Sequence, residues 1–129
     1  FFYVLDAGGW RFGDRLTPES PLYRAATTAC LVGIVLAQVA NVFVCRHPRE
    51  PFWRLPLFAN RLLLAGIGAE IVLLLAIVYT PLGQAVFGTA PLAASVWLAG
   101  TGLALLLGVA EESRKAWCRR RLPDAQVRR

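Results

Sequence analysis

Three long apolar runs, separated by polar or proline-containing segments, set the architecture of this chain. Residues 22–45, 62–79 and 92–109 are almost continuously hydrophobic. They lack the strict alternation of a half-buried strand, and each approaches the roughly 20 residues that a helix needs to cross a bilayer. A shorter run, Phe1 to Leu5, opens the chain and reads as the end of a further membrane helix. Lipid offers the backbone no hydrogen-bond partner, so spanning segments must be helical. The pattern therefore predicts an all-α transmembrane helical bundle of three spans plus the end of a preceding helix. The expected order is a helix end over 1–5, a loop over 6–21, a span over 22–45, a loop over 46–61 and a span over 62–79. A loop over 80–91, a third span with an extension over 92–118 and a tail over 119–129 complete it.

The breaks have local causes. Gly8, Gly9, Gly13, Pro18 and Pro21 interrupt regular structure in the first loop, and Pro48, Pro51 and Pro56 do so in the second. Trp10, Phe12, Trp53 and Trp117 suit the aromatic belt at a membrane interface. Beyond the third span, Glu111 and Lys115 have the i,i+4 spacing of a helix-surface ion pair.

Polar residues inside the apolar runs carry the candidate chemistry. Gln38 and Asn41 are three apart in the first span, on one helical face with Thr27, Leu31, Ile34 and Cys45. Their amides suit two uses equally: hydrogen bonds that hold helices together, or oxygen donors to a hard cation. Glu70 is the one acid within the second span. A carboxyl group at bilayer depth costs about 3 kcal/mol or more, so such groups face protein or a water-filled path and mark ion or proton routes. Ala65, Gly66, Gly68 and Ala69 surround it with small side chains that admit a neighbouring helix. Gly100, Ala104 and Gly108 recur every four residues in the third span and read as packing alone.

Composition sharpens this picture. Of 129 residues, 57% are hydrophobic and 17% charged, and mean hydropathy is +0.52, which excludes an ordinary soluble domain. The net charge of +6 does not indicate nucleic acid as a partner, because the arginines gather between and after the apolar runs. Residues 46–61 and 114–121 carry most of the basic charge, whereas 80–91 carry none, which places the basic segments and the C-terminus in the cytoplasm. Cys30, Cys45 and Cys118 have no metal-ligand spacing and read as reduced. Methionine is absent and the chain opens inside an apolar run, so it is expected to be the C-terminal piece of a longer protein.

Several of these segments resemble a known family. Ala26-Thr27-Thr28-Ala29-Cys30 and Gln38-Val39-Ala40-Asn41-Val42-Phe43, followed by the basic loop, resemble the eighth membrane helix of type II P-type cation-transporting ATPases. Gly66-Ile67-Gly68-Ala69-Glu70 resembles the ninth helix. Tyr79-Thr80-Pro81 and Phe87-Gly88-Thr89-Ala90-Pro91-Leu92 resemble the loop to the tenth, and Glu111-Glu112-Ser113-Arg114-Lys115 with Arg119 and Arg120 resembles the closing pattern. The style is bacterial. The resemblance implies the C-terminal membrane domain of a pump that couples ATP hydrolysis to cation transport, in the bacterial inner membrane. Its partners would be the lipid bilayer, the remaining membrane helices and the transported cation. The Asp-Lys-Thr-Gly-Thr phosphorylation motif is absent from this chain, which has no Gly-rich phosphate loop either. ATP and Mg2+ are therefore implied for the parent only, and no cofactor and no catalytic residue is expected here.

The resemblance also suggests site residues. Gln38 stands where reticulum-type calcium pumps have a glutamate ligand and sodium pumps a glutamine. Asn41 stands where sodium pumps have an aspartate lining their third site, and Glu70 matches a ninth-helix glutamate near it. With one carboxylate where a sodium pump has more, Gln38, Asn41 and Glu70 form a candidate cation or proton site rather than a copy of that one. A different class of function, a stand-alone membrane scaffold or partner subunit without transport, is the alternative expectation.

Overall fold

The computed structural model describes residues 1–45 and 60–121. The basic loop over 46–61 and the tail over 119–129 thus fall largely outside the described residues. Five helices follow one another: α1 (Phe2–Ala7), α2 (Pro21–Val44), α3 (Arg61–Tyr79), α4 (Pro81–Phe87) and α5 (Ala94–Arg121). No strand occurs among the described residues. α2, α3 and α5 are each long and apolar enough to cross a membrane. The expected all-α bundle of three spans is what the chain forms.

Local chemistry sets each start. Ser20 caps α2 by accepting the Tyr23 N–H at 3.2 Å, with Pro21 at the first helical position where its missing N–H costs nothing. Asn60 caps α3 through the Leu63 N–H at 3.1 Å. Thr80 then ends α3 and starts α4. It donates to the Ala76 carbonyl at 2.6 Å and accepts the Gly83 N–H at 3.1 Å, ahead of Pro81. α4 closes at Gly88, whose φ of 63° lies in the left-handed region that favours glycine. The connection over 80–91, expected as a loop, thus contains a short helix. α5 runs on to Arg121 through the start of the expected tail, since nothing between Gly108 and Pro123 interrupts it.

α2 and α5 form the principal contact of the molecule and run parallel. A Cβ at Gly100 would stand 3.1 Å from Leu36 Cδ1, and one at Gly108 would stand 3.8 Å from Val44 Cγ2. The two helices therefore stay in register over two turns, with the small stripe Gly100, Ala104, Gly108 against Leu36, Ala40 and Val44. Small side chains permit this close approach, which in lipid substitutes dispersion for the missing hydrophobic drive. α3 returns in the opposite direction and joins the pair near its C-terminal end, where Leu74 and Val78 share a core with Val32 and Leu92. α1 packs on the start of α2 through buried Leu5 and an edge-to-face contact between Phe1 and Tyr23, with ring centroids 6.1 Å apart.

Candidate functional site

The end of α3 is sealed by side chains from the connection that follows it. Its last carbonyls have no partner inside the helix. Thr80 takes that of Ala76, Thr89 takes that of Ile77 at 2.6 Å, and Gln84 takes that of Val78 at 2.9 Å. Tyr79 donates to the Leu92 carbonyl at 3.2 Å and accepts from the Trp97 indole at 2.8 Å, their rings stacked. Thr28, 1% exposed, accepts the Ala90 N–H at 3.0 Å and donates to the Arg24 carbonyl at 2.6 Å. Neutral groups therefore satisfy this end of the bundle, in keeping with an uncharged connection.

The three predicted site residues occupy the other half of the molecule. Gln38 and Asn41 lie on the exposed face of α2, with Ile34 and Cys45. The face opposite, carrying Ala26, Thr28, Val32 and Val44, is buried. Asn41 Oδ1 accepts from the Cys45 thiol at 2.9 Å, and both residues line a cavity of about 130 Å3 shared with Gly108 and Glu111 of α5. Glu70 is half-buried on α3, while Ala65, Gly66, Gly68 and Ala69 around it are exposed. A Cβ at Gly66 or Gly68 would meet nothing within 4 Å. Measured from Val32 and Leu74, which share one cluster, Glu70 lies about 6 Å and Gln38 about 9 Å along their helices towards the same end. Asn41 lies about 14 Å along, so Glu70 and Gln38 stand at similar depth and Asn41 nearer that end of the bundle, on helices whose small-residue and amide-bearing faces are open.

Beside them lies a polar group that was not expected. Lys115 is 1% exposed. Its ammonium donates to the Val44 carbonyl at the last turn of α2 and pairs with Glu112 at 2.9 Å. Arg114, not Lys115, takes Glu111, through Nε at 2.8 Å and through Nη2. That hydrogen bonding holds the Glu111 carboxyl below its ordinary range, with the Arg114 and Lys115 charges reinforcing it against the opposing effect of desolvation. The signal for Lys115 was in the spacing. Glu112 and Lys115 follow Gly108 by four and seven residues, so they continue the stripe that α5 turns to α2. Next to this pin, an apolar groove of about 750 Å3 runs between Ala40 and Phe43 on one side and Ala104, Leu105, Gly108 and Val109 on the other. Among the described residues, no group of three His, Cys, Asp or Glu side chains is placed to hold a metal ion.

Comparison with known proteins identifies the family of the chain. The model of a family described as "Cation transporting ATPase, C-terminus" matches residues 1–117. The chain is 35% identical over 89 residues to the probable cation-transporting ATPase F of Mycobacterium tuberculosis, strain H37Rv, and equally to that of Mycobacterium bovis. It is 33% identical over 89 residues to a calcium-transporting ATPase of Bacillus subtilis, strain 168. Each match covers 69% of this chain and 10% of the relative, so the chain spans a small part of the proteins it resembles.

Proposed function

The chain belongs to the family of cation-transporting ATPase C-termini, and from that premise we propose that it is the membrane-embedded C-terminal part of an ATP-driven cation pump. The observation that carries this is the family match over residues 1–117, coupled with three helices apolar enough to span a bilayer. It is a multi-pass membrane protein segment, and its long helices are solvated by lipid and by other helices of the pump. In this reading it lies in the cell membrane with its C-terminus in the cytoplasm, as the basic charge at the end of α5 favours. ATP and Mg2+ are used by parts of the pump outside this chain.

Within the pump, α2 and α5 act as a support. The exposed face of α2 and the small-residue face of α3 turn Gln38, Asn41 and Glu70 towards the cation-carrying helices. The three contribute an auxiliary site for a cation or a proton, with amide oxygens and one carboxyl group as donors. The test is the ATPase activity of the full-length pump, with CaCl2, NaCl and KCl titrated separately. Glu70→Gln and Asn41→Ala are expected to move the half-saturating concentration of the stimulating cation, or the pH optimum for Glu70→Gln. Unchanged ion and pH dependence in both variants would leave these residues structural. An activity insensitive to every cation would remove the pump reading in favour of a scaffold.

A further inference from the structure

We propose that Lys115 is a positioning residue for the amide face of α2: by holding the Val44 carbonyl at the end of that helix from α5, it sets where Asn41 stands. The proposal rests on the cation-path reading above for the role of Asn41, and on the structure for the pin.

The case begins with an uncommon placement. A lysine is almost never fully buried unless paired, since its charge is costly to remove from water. Lys115 is 1% exposed, the largest fully buried side chain of the described residues. Glu112 and the Val44 carbonyl are among the groups that balance the charge. Glu112, one turn back on the same helix, supplies a carboxylate at 2.9 Å. The Val44 carbonyl supplies the negative end of α2, where the aligned peptide dipoles amount to about half an elementary charge. Side chains on a helix lean towards its N-terminus. Lys115 therefore reaches back along α5 to a carbonyl that points forward along the parallel α2.

This contact decides more than local stability. The face of α2 carrying Asn41 is three residues from Val44, and the Cys45 N–H returns to the Asn41 carbonyl at 2.8 Å. Rotation or fraying of the last turn would therefore carry Asn41 with it. Small residues, Ala40 with Ala104 and Gly108, form the centre of the interface in this half, flanked by a cavity on each side. Small residues over voids resist rotation poorly. A charged hydrogen bond with a fixed direction does resist it.

The experiment uses the full-length pump with Cys45→Ser, which keeps a donor to Asn41, and with nitroxides on Val42→Cys and Cys118 as its only cysteines. Two variants are compared with the parent: Lys115→Met, and Lys115→Met with Glu112→Gln. The double variant removes the Glu112 charge together with the ammonium it pairs with, should the single one fail to fold. Dipolar broadening between the labels reads the register of the two helix ends independently of transport. Expected are a wider distance distribution and a half-saturating cation concentration raised at least about threefold, with a smaller change in maximal rate. An unchanged distribution in the double variant overturns the pin. A widened distribution with unchanged half-saturation, in a pump where Asn41→Ala does move it, overturns the positioning role. Failure of Asn41→Ala to move it condemns the cation-path reading instead, and is seen without touching Lys115.

Discussion

Replacing Gly83 by alanine is the most direct challenge to the seal on α3. Gly83 is buried where α4 rests on the end of α3. A Cβ there would stand 2.5 Å from the Ala76 carbonyl oxygen, 2.6 Å from Ile77 Cα and 2.7 Å from the Ile77 oxygen. All three are backbone atoms and cannot swing aside, so α4 must retreat by about 1 Å to restore ordinary contact. That retreat breaks the bond from Gln84 to the Val78 carbonyl, now 2.9 Å. Overpacking costs about 1–3 kcal/mol and the lost bond about 1 kcal/mol. Alanine regains about 1 kcal/mol through its better helix propensity. The clash wins, with a net loss of about 1–3 kcal/mol, or opening of residues 80–92 roughly 5- to 150-fold more often. Hydrogen exchange by mass spectrometry on the detergent-solubilised full-length protein reads this segment directly. Leu82→Ala, on the same helix but 76% exposed, is the control and should change exchange little. If Gly83→Ala exchanges no faster than that control, α4 does not lie on the end of α3 as described.

Two further outcomes follow from named contacts. Thr28→Val keeps the shape of the side chain but strands the Ala90 N–H, and should cost about 1–2 kcal/mol, seen as faster exchange of the Ala90 amide. Acidification should loosen the end of α5. The Glu111 carboxyl is held below its unfolded value of about 4.3, so its contribution is complete above that pH and is lost as pH falls through the lowered value. Helix content there should be flat from neutral pH to about 5 and fall below it, and Glu111→Gln should abolish the dependence.

Much of this was legible in the sequence, and the gaps have physical reasons. The spans declare themselves because hydrocarbon demands long uncharged helices. The stripe Gly100, Ala104, Gly108 announced a close helix contact, although not that its partner would be α2. α4 was missed despite its signature: a capping Thr80, Pro81 at the first position and Gly88 at the end. Seven residues without a hydrophobic period give pattern reasoning too little to hold. The pairing of Lys115 was misjudged because i,i+4 spacing with Glu111 is a local rule, and the carbonyl of Val44 lies 71 positions away in sequence. That Gln38, Asn41 and Glu70 lie inside long apolar helices followed from the spans. Which faces they present was not legible, because the exposed side of α2 follows from the α2 contact with α5, which is distant in sequence.

The parallel pairing of α2 with α5 has a consequence for how the protein is made. Helices that are neighbours in sequence can associate as a hairpin while still leaving the ribosome, but α2 finds its main contact only after α3 and α4 have followed it. At about 5–20 residues per second, the roughly 80 residues from Val44 to Arg121 take about 4–16 s to synthesise. For that interval Leu36, Ala40 and the Val44 carbonyl are without the α5 surface that covers them in the folded chain.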